Sequence, residues 1–354
     1  MTERVPVRPD LEDTEPYGAP QLSVAVRLAT NETPYPPPRA FSERLAARIA
    51  ELELNRYPDR RATALRSALG ARFGLPVNRV WAAKGSNEVL LQLFQAYGGP
   101  GRRLLLFRPG YSAHPLIARV ASTGVVEMDL DESFRLGADA AREAVTACDP
   151  DVVVVASPNN PTGIAVDPDV VRALHDGGRA LVVVDEAYVE FAGARASAVA
   201  LLDELPRLVV CRTFSKAWRL AGLRLGYLLA HDWVIDDLRK VRLPYHLDTL
   251  TQAAGLAAIE LADEVTAHVA GLCAERERLR SAMAALDGVE VFDSAANFLL
   301  FRTAVDDLFD RLLAGGVLVR DFSALPRLER CLRVTVGTPA ENDSFVSALE
   351  ESLT

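Results

Sequence analysis

The chain has 354 residues, of which 49% are hydrophobic and 25% charged. This composition supports a large apolar core and excludes a disordered chain, a collagen-like repeat and a small disulfide scaffold. The length predicts about two domains. The 39 basic and 48 acidic residues give a net charge of −9, which disfavours a nucleic-acid partner.

The four cysteines are scattered along the chain as Cys148, Cys211, Cys273 and Cys331, and no two of them form a C-x-x-C pair. This spacing predicts reduced thiols, with neither a disulfide framework nor a metal site. The first residues lack the apolar stretch of a signal peptide, and no run approaches the roughly 18 apolar residues of a spanning helix. We therefore expect a cytoplasmic protein without a membrane partner.

Residues 1–40 are rich in proline and predict an extended N-terminal arm outside the core. Residues 41–246 alternate short apolar runs with helical patterns, which predicts a large α/β domain with a mostly parallel sheet of seven strands. The predicted strands are 80–83, 104–107, 125–130, 152–156, 181–184, 208–211 and 227–230, with helices that include 87–97, 111–121 and 168–176. The run at 152–156 is apolar on both faces, as in a parallel strand covered by helices on both sides.

The pattern changes after residue 246. One long helix is predicted over 251–286, followed by strands at 289–292, 297–301, 317–320 and 332–336. Residues 247–354 therefore predict a smaller α+β domain. Ligands of open α/β sheets bind outside the carboxyl ends of the strands, so the chemistry is expected in the residues that follow each strand of the large domain.

Polar residues follow four of these strands. Gly85 and Ser86 form a small-residue turn before a helix, which suits a phosphate but equally an ordinary helix cap. Asp185 ends a buried strand, where a carboxylate needs an ion-pair partner or a protonated ring nitrogen. Lys216 follows the next strand, and such a lysine is either a solvated side chain or a nucleophilic amine. The turn at 157–163 contains Asn160, whose amide could donate to an oxyanion. Each signal is weak alone, but their occurrence together at successive strand ends is specific.

Together these residues resemble the fold-type I pyridoxal 5′-phosphate (PLP) aminotransferases, and within them the histidinol-phosphate aminotransferase branch. The matching segments extend over most of the chain and are 31–32, 57–59, 85–88, 111, 157–163, 185–188, 215–216, 222–226, 319–321 and 332–333. The resemblance implies a PLP enzyme with the large and small domains described above. It also implies that the enzyme moves an amino group between L-histidinol phosphate and 2-oxoglutarate in histidine biosynthesis, giving imidazole-acetol phosphate and L-glutamate.

The resemblance also implies roles for individual residues. Lys216 would bond covalently to the PLP aldehyde and move a proton between the substrate Cα and the aldehyde carbon of the cofactor. Asp185 would keep the pyridine nitrogen of PLP protonated. Tyr188 and Asn160 would hydrogen-bond the phenolate oxygen of PLP, and Tyr111 would stack on the PLP ring. The remaining cofactor-binding residues, around the phosphate, would be Gly85, Ser86, Asn87, Thr213, Ser215 and Arg224.

Substrate and partner residues follow from the same resemblance. Arg333 would pair with the carboxylate of glutamate or 2-oxoglutarate, and Arg320 and Tyr17 would bind the substrate phosphate. Asn31 and Glu32 would line the pocket. Tyr57 would reach the phosphate of the neighbouring subunit's cofactor, which implies a homodimer with a shared active site.

Some residues depart from the family pattern or invite other interpretations. Lys84 stands where relatives commonly have Asn and adds a cation near the phosphate turn, whereas His114 and His246 are interpreted as structural. Three alternatives stay open: an aromatic amino-acid aminotransferase of the same fold, a PLP decarboxylase of phosphorylated amino acids, and a non-catalytic PLP-binding regulator. The regulator is disfavoured by the acidic charge and by the presence of Lys216, Asp185 and Arg224.

Overall fold

The computed structural model describes residues 5–12, 14–16, 18 and 21–353. Its strands, in chain order, are β1 Val26–Arg27, β2 Val80–Ala83, β3 Arg103–Arg108, β4 Gly124–Asp129, β5 Val152–Ala156, β6 Leu181–Asp185, β7 Leu208–Thr213, β8 Gly226–Ala230, β9 Val289–Val291, β10 Phe298–Thr303, β11 Val317–Leu318, β12 Arg320–Asp321 and β13 Cys331–Thr335.

The α-helices between these strands are α1 Arg39–Ala50, α2 Thr63–Ala71, α3 Ser86–Tyr97, α4 Ala113–Val120, α5 Ala138–Cys148, α6 Pro168–Asp176, α7 Val189–Ala192, α8 Asp232–Val241, α9 Thr249–Ile259, α10 Ala262–Ala284, α11 Leu308–Ala314 and α12 Pro339–Ser352. Several start at sequence signals for a helix N-terminus. For example, the Asp248 side chain accepts from Thr251 N–H before α9, and Thr338 and Glu341 form a capping box before α12. None of the described helices combines the length and apolar composition needed to cross a bilayer.

The largest sheet has seven strands in the order β2-β8-β7-β6-β5-β3-β4. The five strands from β7 to β4 are parallel, and β8 runs antiparallel to both of its neighbours. β5, β6 and β7 are buried along their length because helices cover both faces of the sheet. The predicted α/β fold with a mostly parallel seven-stranded sheet is confirmed.

Two smaller sheets are built from strands of the second half of the chain together with β1. The antiparallel order β12-β13-β10-β9 forms one of them, and β1 pairs in parallel with β11 in the other. Their apolar faces pack with α10, α11 and α12 in a core of their own, which includes Phe301, Leu312 and Phe345. The four-stranded sheet matters for the site because β12 and β13 carry two arginines toward the large sheet.

The prediction that the proline-rich arm stays outside the core is wrong for residues 26–31. Val26 and Leu28 are buried in the smaller core, and Asn31 is fully buried. Leu28 N–H donates to Leu318 O at 2.8 Å, and its own carbonyl accepts from Thr335 N–H at 2.8 Å. The segment is anchored because its backbone pairs with β11 and β13, a long-range pairing that local composition does not reveal.

Two predicted elements are divided in the structure. The helix predicted over 251–286 is interrupted at Glu260 and Leu261, because Leu261 leaves helical geometry (φ −113°, ψ 24°) and buries its side chain in the main core. The strand predicted at 317–320 is two strands, because the chain passes at Val319 from pairing with β1 to pairing with β13. Both changes depend on tertiary contacts, which override local propensity.

Candidate active site

An open cleft of about 1040 Å³ lies at the carboxyl ends of β5, β6 and β7, between the large sheet and β12–β13. It brings together most of the residues that the sequence predicted for the site. Those lining it are Asn31, Ser86, Asn87, Tyr111, Asn160, Asp185, Tyr188, Thr213, Ser215, Lys216, Arg224, Arg320 and Arg333.

Lys216 lies on the turn after β7, with its amine in the cleft. Its Nζ donates to the carbonyl of Thr30 at 2.9 Å and lies 5.8 Å from the centroid of the Tyr188 ring. Burial, aided by the positive charge of Arg333, lowers the pKa of the Lys216 ammonium to about 7, although Glu32 opposes the shift. An amine with this pKa exists in part as the free base at neutral pH, which suits both nucleophilic attack and proton transfer.

Asp185 ends β6 and is buried, at 4% exposure. His114 Nε2 lies 3.0 Å from Asp185 Oδ2, and the Ala187 N–H donates to Oδ1 at 3.2 Å. The His114 ring in turn meets the Tyr111 ring edge to face, with centroids 5.1 Å apart. His114 does not line the cleft, but it orients this carboxylate, a positioning contact that the interpretation of His114 as structural did not specify. Only the position of His114 just after Tyr111, near a strand end, could have indicated it.

His246 has no such role. Its Nε2 lies 2.9 Å from the carbonyl oxygen of Ala82, and its ring stacks on Trp81 with centroids 5.5 Å apart. Burial lowers the pKa of His246. It does not line the cleft, in keeping with a structural role.

Tyr188 is held in the cleft by a hydrogen bond to its hydroxyl. The Asn31 side-chain amide donates to Tyr188 Oη at 3.0 Å, and Thr335 Oγ1 donates to Asn31 Oδ1 at 3.1 Å. Asn31 adopts a positive φ of 54°, which its fixed hydrogen bonds maintain. One buried hydrogen-bond network thus joins Asn31 of the arm, strand β13 and the catalytic candidate Tyr188.

The turn before α3 forms a cradle at the floor of the cleft. Gly85 has a φ of +86°, and a Cβ there would lie 2.8 Å from Arg224 Nη2. β8 approaches the same turn so closely that a Cβ on Gly226 would lie 2.3 Å from Ser86 N. No side chain caps α3, so the alternative that Ser86 is an ordinary cap is wrong. A helix N-terminus with free N–H groups beside a guanidinium is suited to a phosphate.

Three further polar side chains complete this cradle. Arg224 Nη1 donates to Ser215 Oγ at 3.2 Å, and Thr213 Oγ1 donates to Ser215 Oγ at 3.0 Å. Arg224 itself has a φ of 55°, which turns its side chain back toward the start of α3. Arg224, Ser215 and Ser86 therefore surround one position with donors, as an anion requires.

The charge of Lys84 is paired within the protein. The sequence suggested an added cation near the phosphate turn, but Lys84 Nζ forms an ion pair with Asp248 and donates to Thr251 Oγ1 at 2.7 Å. Its charge is therefore largely neutralised within the protein. The pair ties the turn before α3 to the start of α9.

Arg320 and Arg333 face the cleft from neighbouring antiparallel strands, where they are direct partners in the ladder. Arg333 is buried; Nη1 donates to Asn160 Oδ1, Nη2 donates to Ala29 O at 2.6 Å, and its guanidinium lies over the rings of Phe298 and Phe322. Arg320 is more open and reaches the Gly18 carbonyl at 3.4 Å. Besides Lys216 and the Arg224 of the cradle, the cleft thus presents two further cations, one fixed and one accessible.

Besides Gly85, which belongs to the turn before α3, two predicted residues that the structure describes do not line the cleft. Glu32 is exposed and accepts from Thr30 Oγ1 at 2.8 Å, close enough for its charge to act on Lys216. Tyr57 is 79% exposed and stacks on Tyr245 with ring centroids 4.3 Å apart. Tyr17 lies outside the described residues. Neither Glu32 nor Tyr57 is therefore part of the cleft lining of its own chain.

These residues fit a PLP group. The cradle that a Cβ on Gly85 or Gly226 would fill matches a phosphate, Asp185 is positioned for a ring nitrogen, and the Lys216 amine is desolvated as a covalent attachment requires. Among the described residues no cluster of His, Cys, Asp or Glu could hold a metal ion.

The chain is similar to known proteins over almost its full length. Residues 23–349 match the model of the family aminotransferase class I and II. Histidinol-phosphate aminotransferases of Thermobifida fusca and Corynebacterium diphtheriae are 49% and 46% identical to it, over 98% of this chain and 95% and 96% of theirs. The solved structure of histidinol-phosphate aminotransferase from Sinorhizobium meliloti in complex with PLP shares the fold at a TM-score of 0.90, with 24% identity over 99% of this chain and 98% of that one.

Proposed function

The chain belongs to the class I and II aminotransferase family, and on that premise we propose that it moves the amino group between L-histidinol phosphate and 2-oxoglutarate. The enzyme is an aminotransferase that uses PLP. Relatives that share nearly half of its residues over nearly its whole length carry the name histidinol-phosphate aminotransferase, which supports this substrate pair. Its place is accordingly histidine biosynthesis.

The observation that carries the substrate assignment is the paired arginines of the cleft. Arg320 and Arg333 face each other across the β12–β13 ladder, beyond the Lys216 amine. A phosphate ester suits the more open Arg320, and a carboxylate suits the buried Arg333, whose planar guanidinium can form a bidentate pair. Two substrates that share one site and differ in their anionic group would each find a cation there.

The proposed mechanism assigns a task to each group around the reacting centre. Bound PLP supplies an electron sink for the electrons of the broken Cα–H bond. Lys216 would hold the cofactor and then use its Nζ to take the proton from the substrate Cα. Asp185, oriented by His114, would keep a proton on the ring nitrogen, while Tyr188 and Asn160 would bind the phenolate oxygen. Tyr111 would cover the ring face.

The cradle would hold the cofactor phosphate at the N-terminus of α3. Gly226 lets β8 lie directly against the turn, and Ser86, Ser215 and Arg224 would donate to the phosphate oxygens, with Gly85, Asn87 and Thr213 in support. Asn31 would keep Tyr188 in place through its 3.0 Å hydrogen bond.

The proposal includes a homodimer in the cytoplasm. Tyr57 is exposed on its own subunit and does not line the cleft there. This supports the role suggested by the sequence, in which Tyr57 contacts the cofactor phosphate of a neighbouring subunit. Tyr17 would join Arg320 at the substrate phosphate, and Glu32 would border the substrate pocket. All four cysteines are free, as expected in a reducing compartment.

Single-turnover half-reactions test this function. We expect histidinol phosphate and glutamate each to bleach the PLP absorbance rapidly, and phenylalanine to do so far more slowly. Faster conversion with phenylalanine would instead identify an aromatic aminotransferase, and release of carbon dioxide from a phosphorylated amino acid would identify a decarboxylase.

A matched pair of variants locates the phosphate contact. Arg320→Gln should raise the KM for histidinol phosphate about 10- to 100-fold, the loss of one charge-assisted contact, and change the glutamate half-reaction much less. Arg330→Gln, an exposed arginine near the same sheet, is the control and should change neither. Equal loss for both substrates would remove Arg320 from the phosphate site.

A further inference from the structure

A second concave site lies outside the cleft, beside the buried strand β2. Five arginines surround Trp81 around a space of about 460 Å³, and we call this site the arginine pocket: Arg60, Arg61, Arg66, Arg239 and Arg242. None of these six residues lines the cleft described above. The mechanism therefore gives this concentration of positive charge no task.

The positive charge of the arginine pocket is only partly balanced by two nearby carboxylates, Asp59 and Asp236, and the charge of Asp59 acts to raise the pKa values of Arg66 and Arg242. Asp236 pairs with Arg239, and the carboxylate of Asp59 accepts from the backbone N–H groups of Arg61 and Thr63. In the part of the chain that the structure describes, the side chains of Arg60 and Arg61 form no hydrogen bond or ion pair. A chain of net charge −9 thus keeps a local excess of unpaired cations.

Two of the guanidinium groups are fixed by neutral partners. Arg66 donates to the carbonyls of Val80 at 2.6 Å, Val77 at 2.8 Å and Arg61 at 3.0 Å. The Arg66 and Arg242 Cζ atoms lie 5.6 and 5.7 Å from the Trp81 ring centroid. Carbonyls and an aromatic face hold these side chains in place but leave their charge uncompensated.

The arginines consequently repel one another. Burial, together with the charges of Arg239 and Arg242, lowers the pKa of Arg66 to about 10. Burial and the charge of Arg60 also lower the pKa of Arg242. An anion in the pocket would relieve this repulsion, and guanidinium forks match the spacing of phosphate oxygens.

We propose that the arginine pocket binds a pyrophosphate group, free or as part of a nucleotide. Two linked phosphates carry enough negative charge to pair with several guanidinium groups, whereas a single phosphate or carboxylate carries too little. The faces of Trp81 are occupied by Arg66, Arg242 and His246, so no aromatic surface is left to stack on a base. The pocket therefore recognises charge and not the identity of a nucleoside.

Calorimetric titration of the PLP-loaded protein tests the proposal, because bound cofactor occupies the other phosphate cradle. At constant ionic strength and without magnesium, we expect pyrophosphate to bind at least about tenfold more tightly than inorganic phosphate. Equal binding of ATP would show that the pyrophosphate group alone suffices. Binding of ATP without binding of pyrophosphate would contradict the proposal, because the site would then recognise the nucleoside.

Variants then locate the binding. Arg60→Gln with Arg61→Gln should weaken pyrophosphate binding about tenfold or more, and Arg61→Glu should abolish it. Both positions are exposed, so folding is expected to be retained and can be checked by thermal unfolding. Arg142→Gln with Arg195→Gln changes the net charge equally at distant exposed positions and should leave binding unchanged.

Three further results would overturn the proposal. One is the absence of heat with both pyrophosphate and ATP at millimolar concentration. Another is binding that Arg320→Gln abolishes and the Arg60/Arg61 variants leave intact, which would place the anion in the substrate cleft. The third is a shift in the subunit equilibrium of the Arg60/Arg61 variants without a change in anion binding, which would assign the pocket to acidic side chains of a second copy.

Discussion

Lys216 differs in environment from the two other lysines of the chain, Lys84 and Lys240. Lys84 is paired with Asp248, and Lys240 is exposed on α8 with its Nζ 2.5 Å from Asp237. Lys216 instead donates to a neutral carbonyl inside a cleft that also contains Arg333 and Arg224, so its charged form is disfavoured. The chemistry of the site follows from this difference between residues of one type.

The depressed pKa of Lys216 has a consequence for stability. In the cofactor-free protein it loses its proton near pH 7 when folded but near pH 10.5 when unfolded. Between these values the unfolded chain binds more protons, so the free energy of unfolding rises with pH. From about pH 7 to pH 9, urea denaturation should show a gain of about 2 kcal/mol for wild type relative to Lys216→Met. Parallel pH dependences for the two proteins would contradict the shifted pKa.

His114 is expected to matter most when the cofactor is absent. Replacing it with alanine leaves the buried Asp185 with one hydrogen bond fewer, which should lower the free energy of unfolding of the cofactor-free protein by about 1–3 kcal/mol. The loss should be smaller in the PLP-loaded protein, where Asp185 gains the ring nitrogen as a partner. Chemical denaturation of both forms measures this, and equal losses would show that Asp185 does not face the cofactor.

At the scale of elements, the site depends on how closely β8 approaches the start of α3. Gly226→Ala would place a Cβ 2.3 Å from Ser86 N, so β8 or the turn must move. We expect about 1–3 kcal/mol of destabilisation and at least about tenfold weaker PLP binding, measured by equilibrium titration. Gly222→Ala is the matched control, since no atom lies within 4 Å of its Cβ position. Similar PLP affinity in both variants would show that this close approach does not shape the cradle.

Which parts of this arrangement the sequence could predict depends on the distance between interacting residues. The apolar runs of β5, β6 and β7 are local signals, and because parallel strands end at one edge, they also located Asp185 and Lys216 correctly at that edge of the sheet. The break at Leu261, and the partnership of Arg320 with Arg333, depend on packing and register between distant segments. No local pattern carries that information.

The same limit applies to residues that support the site. Asn31 reaches Thr335 and Tyr188, which are more than 150 positions away. The separation |i−j| between His114 and Asp185 is 71. Resemblance to a family identified Asn31 as a site residue, but the hydrogen bonds that position it became visible only in the fold.

At the scale of the whole molecule, the exposure of Tyr57 predicts that two subunits share their sites. Tyr57→Ala and Lys216→Ala should each be nearly inactive as homodimers. A hybrid of the two contains one site with both wild-type residues, so an equal mixture of exchanged subunits should recover about one quarter of wild-type activity. Activity assays after co-expression of differently tagged chains measure this. Mixtures no more active than the separate variants would place Tyr57 outside the neighbouring site.

Covalent attachment of PLP to one amine is central to the proposed active site, and the chain has only three lysines at which it could occur. Loading the protein with PLP, reducing it with borohydride and analysing its peptides by mass spectrometry tests this directly. We predict one label per chain, on the peptide that contains Lys216. A label on Lys84 or Lys240, or no label at all, would contradict the proposed active site.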